Sequence, residues 1–490
     1  MDSSKYINFF ENLKSPNKEI RQQAEKDLEK MKQLPIEQSF PIFQTGISSN
    51  DENISQLSSL MFKKVYLENK NIMSNLTDEQ ILQMKNFLKS QITFNQNKSW
   101  KTLQRIADNL SHLYQLSDMK ESFSEILSWF NNNEPLARKF AIYIIEVLSD
   151  LLVFKNDLVK SNLNDFKSMF NKGLNDNDIQ VKVSSIISLT QFIINLNDDS
   201  LIEEFSQLID TLLISVFSVI GKNENLDKEI LDSLNYLTDK HPKFWKSKIE
   251  VLIELVVKIA KEKILLNTIR SSSLELIYSL TKNMPSKIRK SNNFKNLLIP
   301  ELFELIKEIE NIKDVNTWEK ILIDDENDLD DMFYSVKSGF ERLSIDLGGK
   351  FFMEIISPYI KNYLSSENWI DIYSAFMILA SISEGCKEVY KDNLVELLDY
   401  ISKALTHSNQ IVKYSALVFF ENFIRETSPI IQKQYTNNIL PGLAILLSEN
   451  EKSLKVKNQA CSVLVEFFSG LISKNKESIE NSNIIELTLT

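Results

Sequence analysis

One five-residue pattern recurs along the chain: a small or branched aliphatic residue, then Lys or Arg, two variable residues, and Ala or Ser. It occurs as Ile20-Arg21-Gln22-Gln23-Ala24, Ala137-Arg138-Lys139-Phe140-Ala141 and Val181-Lys182-Val183-Ser184-Ser185. It returns as Ile269-Arg270-Ser271-Ser272-Ser273, Val412-Lys413-Tyr414-Ser415-Ala416 and Val456-Lys457-Asn458-Gln459-Ala460. Arg138 to Lys182 and Lys413 to Lys457 are each 44 residues, and Lys182 to Arg270 is 88, twice that step. The first and fifth residues lie four apart, on one face of a helix. A small residue there lets paired helices approach closely. The basic residue near the helix start can pair with a carboxylate in a neighbouring turn, which predicts a ladder of ion pairs along the chain.

A helical repeat near this length is the signature of a HEAT or armadillo array. The fold class expected is therefore all-α, a HEAT-repeat right-handed α-solenoid forming a superhelical arch of about eleven helix pairs. The 490 residues are too many for one ordinary core, and a solenoid escapes that limit because each repeat packs only on its neighbours. Each repeat should hold an A helix, a short turn and a B helix that opens just before the basic residue. Phe140, Ile144, Val147, Leu148 and Leu151 form one apolar stripe at helical spacing. Leu231, Leu234 and Leu237 form another, stopped by His241-Pro242. Ser15-Pro16-Asn17 carries turn chemistry before the first B helix. Weaker copies centre on Ser55, Lys101 and Lys228. At Ser55 and at Ile372 the basic residue is replaced, so those rungs of the ladder are missing.

The remaining composition mostly excludes. A net charge of -11 argues against a nucleic-acid surface and suits basic partners. Two distant cysteines, Cys386 and Cys461, and three histidines, His112, His241 and His407, offer no disulfide framework and no zinc site. They fit a reducing compartment, and the histidines read as turn or core residues. The first ten residues lack a signal-peptide core, and apolar stretches such as 251–260 are too short to span a bilayer. Gly348-Gly349-Lys350 lacks the preceding glycine and following Ser or Thr of a phosphate loop; it reads as a tight turn with glycine at positive φ. No catalytic set, metal or cofactor is expected. Trp100, Trp129, Trp245 and Trp369 lie on apolar helical faces and are expected in the core.

The rhythm breaks once. From Arg270 to the weak copy at Ile372 is 102 residues, room for two repeats and an insertion. That insertion runs from Trp318 into Asp324-Asp325-Glu326-Asn327-Asp328-Leu329-Asp330-Asp331, where six of eight residues are acidic. So dense a cluster repels itself and is expected as an exposed loop, either merely solvated or acting as an electrostatic lure for a basic partner. It lacks the glycine and distal Glu of a calcium loop. Trp318, beside it, is a candidate partner contact. The expected division is 1–315 for N-terminal repeats, 316–334 for the acidic insertion and 335–490 for further repeats.

Beyond the insertion, specific motifs follow in order: Glu341-Arg342-Leu343-Ser344-Ile345-Asp346-Leu347-Gly348-Gly349-Lys350, then Trp369, then Ile382-Ser383-Glu384-Gly385-Cys386. With Leu13 to Ala24, Gln56 to Tyr66, Ile230 to Phe244 and His407 to Pro429, they resemble the importin-beta (karyopherin-beta) family, in its beta-three branch. The resemblance implies a nuclear transport receptor rather than an enzyme. Such a receptor binds basic cargo or nuclear-localisation signals inside its arch, binds Phe-Gly nucleoporins on outer helices, and releases cargo when Ran-GTP binds. It shuttles between cytoplasm and nucleus through nuclear pores, with no cofactor, no direct nucleic-acid contact and no membrane insertion. By position, the implied Ran- or cargo-facing residues are Lys63, Lys64, Trp318, Asp324, Asp325, Glu326, Asp328, Asp330 and Asp331. Full-length relatives are about twice as long, so the chain is expected to correspond to their N-terminal half, as a fragment, a truncated paralogue or a receptor that pairs with something at its C-terminus. Ile484, Ile485, Leu487 and Leu489 would then form an uncapped apolar helix. The competing reading is a HEAT scaffold without a Ran response.

Overall fold

Several B helices open on a short polar side chain that caps them. Asn17 accepts from the amides of Glu19 and Ile20, Asp178 from Gln180 and Val181, and Asn409 from Ile411. Such caps satisfy amides that the first helical turn leaves without partners, and they place the helix start two or three residues before the recurring basic residue.

The computed structural model describes residues 3–94, 98–152, 156–309, 318–319, 331–448 and 451–474. Asp324, Asp325, Glu326, Asp328 and Asp330, and the Ile484–Leu489 stretch, lie outside the described residues. The chain divides into two compact units, Met1–Lys222 and Asn223–Thr490.

In the first unit, A and B helices alternate as Ser3–Leu13 and Lys18–Met31, Ile36–Ile47 and Glu52–Phe62, Asp78–Ser90 and Trp100–Gln115. Met119–Phe130 and Pro135–Leu152, Leu163–Leu174 and Ile179–Ile194, and the A helix Ile209–Val219 complete it. The second unit opens with the B helix Glu224–Lys240 and continues with Ile249–Lys261 and Asn267–Asn283, then Ile299–Leu305 and Asp331–Leu347. Gly349–Leu364 and Trp369–Ser381, Leu394–Leu405 and Gln410–Thr427, and Ile430–Leu447 and Leu454–Lys474 finish the series. Taken in chain order these make eleven A/B couples among the described residues, with no strand between them. The architecture is a HEAT-type α-solenoid.

Within each unit most B helices pack on a neighbouring B helix as well as on their own A helix, as Pro135–Leu152 does. In Pro135–Leu152, Ala137, Phe140, Ala141, Ile144, Ile145 and Leu148 are all fully buried. Burying each of the larger side chains contributes about 1.5–3 kcal/mol. Polar groups also join successive B helices: Ser188 Oγ donates to the Ile142 carbonyl at 3.1 Å, and Asn195 Nδ2 to Ser149 Oγ at 2.7 Å. Trp245 is fully buried, as expected, with Nε1 donating to Thr238 Oγ1 at 3.0 Å. Trp100, Trp129 and Trp369 are instead only half-buried. They sit at the edges of their helices' packed faces, where Lys139 Nζ lies 4.1 Å over the Trp100 ring.

Small residues set the helix spacing, as the recurring pattern implies. A side chain added at Gly173 would strike Ser185, the fifth residue of the Val181 copy, and one at Gly46 would strike Ser58, the equivalent residue of the weak Ser55 copy. The Gly-Gly-Lys and Ser-Glu-Gly-Cys motifs meet each other. A Cβ on Gly349 would collide with the Gly385 carbonyl and with the Cys386 Cα at 2.8 Å, and one on Gly385 with Ser344. Gly348 turns the chain with φ 81°, as its sequence context suggests. Both motifs are packing devices.

The ladder is real where the chemistry permits. Arg138 Nε and Nη2 bind Asp176 at 2.6 and 2.9 Å, Arg270 Nη1 reaches Glu308 at 2.8 Å, and Lys413 Nζ reaches Glu451 at 2.8 Å. In each rung the carboxylate lies 38 residues after the base. The two arginines also tie down their own couple. Arg138 donates to the Asn132 and Asn133 carbonyls, and Arg270 Nε donates to the Ala260 carbonyl at 2.7 Å. Asp176 accepts from the Asp178 amide and Glu451 from the Ser453 amide, so these carboxylates also shape their own A–B turns. Arg21 departs from the scheme and donates to the Ser15 carbonyl in its own turn. Lys182 has Ile220 at the matching distance and reaches only Ser218 Oγ at 3.5 Å. At the two missing rungs, Ser55 Oγ donates to the Ile47 carbonyl at 2.7 Å and Ile372 is buried.

The 102-residue interval resolves into two repeat steps. The insertion sits between the A and B helices of the eighth couple, Ile299–Leu305 and Asp331–Leu347. Residues 331–334, expected in the loop, are the first residues of that B helix.

Two sets of measurements check this packing. Gly385→Ala should destabilise the chain by about 1–3 kcal/mol through overpacking. Gly442→Ala, whose Cβ would meet nothing within 4 Å, should be neutral or stabilise by up to about 1 kcal/mol from helix propensity. Thermal melts of both variants decide whether close approach or propensity governs these glycines. Glu308→Gln leaves Arg270, 3 % exposed, beside an uncharged partner, and should cost about 3 kcal/mol at pH 7. Burial raises the carboxyls of Asp176, Glu308 and Glu451, but the paired Arg138, Arg270 and Lys413 hold all three below their ordinary values. Depressed carboxyl pKa values stabilise fully above the unfolded values, roughly pH 4–4.5, and that stability is lost as pH falls through the folded values. The triple variant Asp176→Asn, Glu308→Gln, Glu451→Gln should therefore be weaker at pH 7 and show a shallower further loss between about pH 5 and pH 3. An equally steep acid limb would show that the rungs do not control acid sensitivity.

Candidate functional site

Lys63 and Lys64 lie where the second B helix, Glu52–Phe62, widens into a single π turn, Lys63–Leu67. The wider turn buries Val65, Tyr66 and Leu67 together. Tyr66 shares a 2.5 Å hydrogen bond with Ser39 Oγ, and burial pushes its hydroxyl up to about 12. The same turn leaves Lys64 exposed, while Lys63 approaches Glu68 at 3.9 Å. His112, half-buried nearby, is pushed down by burial and by the Lys63 charge. Single π turns occur often at functional sites, and no sequence pattern marked this one.

The insertion begins where the Glu308 rung holds it to Arg270. Lys263 Nζ adds a second cation, 3.3 Å from the same carboxylate. Ten residues beyond Glu308, Trp318 is only 4 % exposed. Its ring meets Tyr414 edge-on with centroids 5.2 Å apart. Lys455 Nζ lies 4.8 Å over the ring and donates to the Trp318 carbonyl at 2.6 Å. An edge-on aromatic pair contributes about 0.5–1.5 kcal/mol, and a part-exposed cation–π contact about 0.5–2 kcal/mol. Against these, Glu319 Oε1 is buried with no hydrogen-bond partner among the described residues, at a cost of about 1–3 kcal/mol. Burial of the ring adds to the favourable side. Trp318, read from sequence as a free partner contact, is held inside the second unit.

Tyr414 and Lys455 were not singled out as site residues by the sequence, although the signal was present. Tyr414 follows the base of the Val412 copy, and Lys455 precedes the Val456 copy. Of the acidic cluster, only Asp331 falls in a described element, the first residue of Asp331–Leu347. Farther along the same helix, Arg342 Nη1 binds both oxygens of Glu275 at 2.9 and 2.7 Å, and its guanidinium lies 5.1 Å from the Tyr278 ring centroid. Burial raises the Asp346 carboxyl one turn on.

The A helices of the tenth and eleventh couples enclose a groove of about 430 Å³ lined by Val395, Ile401, Tyr435, Ile439 and Ile445. Val395 and Ile445 remain 70 % and 69 % exposed. Among the described residues no group of His, Cys, Asp or Glu is placed to hold a metal ion, and no helix is long and apolar enough to cross a membrane.

Comparison with known proteins adds identity to this geometry. A family model described as IPO5-like, TPR repeats, matches residues 105–255, and one described as an importin repeat matches 261–354. Importin subunit beta-3 of Saccharomyces cerevisiae is 23 % identical over 471 residues, covering 92 % of this chain and 42 % of that protein. A probable importin-5 homolog of Dictyostelium discoideum is 24 % identical over 288 residues, 58 % of this chain and 26 % of that one. The karyopherin Kap121p bound to Ste12p superposes with a TM-score of 0.85, at 20 % identity over 95 % of this chain and 45 % of its own. Kap121p bound to RanGTP gives 0.83 at 20 % identity over 95 % and 44 %. The chain thus spans less than half the length of these relatives. With a HEAT-type fold, an acidic insertion at the eighth couple and matches across nearly its whole length, the chain belongs to the importin-beta family.

Proposed function

We propose that this chain is part of a nuclear transport receptor. It binds basic nuclear-localisation signals or basic cargo on its B-helix face and releases them when Ran-GTP binds. The observation that carries the reading is the acidic insertion rooted between Glu308 and Asp331 and anchored by Trp318 on the B helices Gln410–Thr427 and Leu454–Lys474. Asp324 follows Trp318 by six residues in the sequence. A plain scaffold needs no such charge density tethered to its B helices. Support also comes from relatives: Kap121p forms complexes with RanGTP, with Ste12p and with Pho4p.

The mechanism requires no bond to be made or broken. Cargo and Ran-GTP compete for the same chain, and their coupling is reciprocal: whatever factor Ran imposes on cargo affinity, cargo imposes on Ran. The residues proposed to face Ran or cargo are Lys63 and Lys64 in the first unit, and Asp324, Asp325, Glu326, Asp328, Asp330 and Asp331 in the second, with Trp318 as the anchor of that segment. Accordingly, 1–315 would serve as the Ran-facing repeats, 316–334 as the acidic insertion and 335–490 as further repeats. The groove between the A helices Leu394–Leu405 and Ile430–Leu447 suits the phenylalanine side chains of Phe-Gly nucleoporins. Cytoplasm, nucleus and nuclear pores are the proposed locations.

Pull-down with purified Ran in its two nucleotide states tests the reading: retention of Ran-GTP over Ran-GDP is expected, and equal or absent retention of both favours the scaffold. Replacing Asp324, Asp325, Asp328, Asp330 and Asp331 by Asn should weaken binding of Ran or of a basic cargo peptide roughly tenfold at low salt and less at high salt, with little change in melting temperature. Unchanged affinity at low salt would make the cluster inert. Lys63→Glu with Lys64→Glu should lower Ran-GTP affinity by a similar factor, read by titration calorimetry.

A further inference from the structure

In the second unit, the turns that lead from one B helix to the next A helix carry positive charge against the trend of the chain. From Lys240 to Lys248 there are four lysines and no acidic residue, and from Leu276 to Pro300 there are five bases and none, in a sequence with 67 acidic and 56 basic residues. The two turns are built alike. The B helices Glu224–Lys240 and Asn267–Asn283 each stop just before a proline, Pro242 and Pro285. Buried apolar side chains then hold the turn: Phe244 and Trp245 in the first, Ile288 and Phe294 in the second.

The turns are locked side by side. Glu250, two residues beyond Lys248, accepts from Ser291 Oγ at 3.0 Å and from the Asn292 and Asn293 amides at 3.2 and 2.8 Å. Arg289 Nε donates to the Leu347 carbonyl at 2.9 Å, which brings the Gly348-Gly349-Lys350 turn alongside as a third member. At that junction Lys295 Nζ lies 5.5 Å over the Phe351 ring.

None of this packing uses the outer lysines. Lys240, Lys246, Lys287, Lys290 and Lys350 are exposed and form no ion pair among the described residues. Exposed lysines on the A helices of the same unit are paired, Lys261 with Glu301 and Lys361 with Glu396, each at 2.9 Å. The attraction of a helix C-terminus for a base accounts for Lys240 and Lys282, which lie in last turns. It does not reach Lys246, Lys287 or Lys290, which follow the helix ends. The nearby carboxylates are engaged elsewhere: Asp239 accepts from Ser279 Oγ, Glu250 holds the second turn, and Asp346 faces Arg342 and Lys282. Like charges gathered without partners favour an anion. Three turns at helix-packing spacing span about 20 Å, the reach of about six extended residues.

We propose that the turns at 240–248, 284–293 and 348–350 form a docking surface for a short Asp/Glu-rich segment of a partner protein, laid across them in extended form. The net charge of -11 favours a short acidic peptide over a nucleic acid, whose length would carry it onto a repelling surface. The site is opposite in chemistry to basic-cargo recognition. It lies at the far end of the B helix Asp331–Leu347 from the acidic insertion, and it stands whether or not Ran or basic cargo binds.

Fluorescence anisotropy with a labelled octapeptide of alternating Asp and Glu tests the proposal. Saturable binding that weakens severalfold as salt rises is expected. Lys246→Glu, Lys287→Glu and Lys290→Glu together should weaken it at least about tenfold. Lys120→Glu, Lys172→Glu and Lys222→Glu, exposed in the first unit and equal in charge change, should alter it less than about twofold. No saturable binding, equal loss in the two triple variants, or tighter binding of a single-stranded oligonucleotide of equal charge overturns the proposal. A second measurement needs no variant. Carbodiimide coupling of the peptide to the wild-type chain, read by mass spectrometry, should place cross-links on Lys240, Lys246, Lys287 and Lys290, and cross-links spread over the chain's other lysines also overturn it.

Discussion

The interaction on which the rest of the structure depends is a clamp between consecutive turns. A base at the start of one B helix holds a carboxylate 38 residues on, as in Arg138–Asp176, Arg270–Glu308 and Lys413–Glu451. Asp176 and Glu451 also accept backbone amides that shape their own turns. One charged group therefore fixes both the entry of a helix and its stacking on the previous repeat. These pairs are largely buried, and exposed ion pairs would contribute little. Burial raises the stakes in both directions, because a rung with one partner removed leaves an uncompensated charge. That is why the chain tolerates a rung missing altogether, as at Ser55 or Ile372, where no base stands.

Much of the fold was legible because its determinants are local and repeated. The base, the small residue four positions along the helix and the capping Asx residue recur within a few positions of one another, and together they specify a helix start and a helix face. Eleven couples followed from the step alone. Three of the tryptophans were misplaced. Their faces look apolar in a linear reading, yet whether a ring at the edge of a face is covered depends on the next repeat's side chains. The Asp331 helix start was missed because a run of carboxylates reads as loop in a linear sequence.

The candidate site was less legible. The acidic cluster announced itself by breaking the rhythm, but the anchor that holds its segment did not. Tyr414 and Lys455 sit in or beside pattern copies whose visible role is stacking, and only the fold brings them to Trp318 across 137 residues of chain. The π turn that sets Lys63 and Lys64 at the end of their helix likewise carries no sequence mark. The repeat supplies the scaffold, and its one interruption supplies the asymmetry, bounded by a rung at Glu308 and by the packed Trp318.

Hydrogen exchange of the chain with and without Ran-GTP tests that division of labour most directly. Slowed exchange confined to the B-helix ends around residues 58–68 and to residues 318–335, with the A helices unchanged, is the predicted result. Protection confined to the A helices, or no protection anywhere at saturating Ran-GTP, would contradict it.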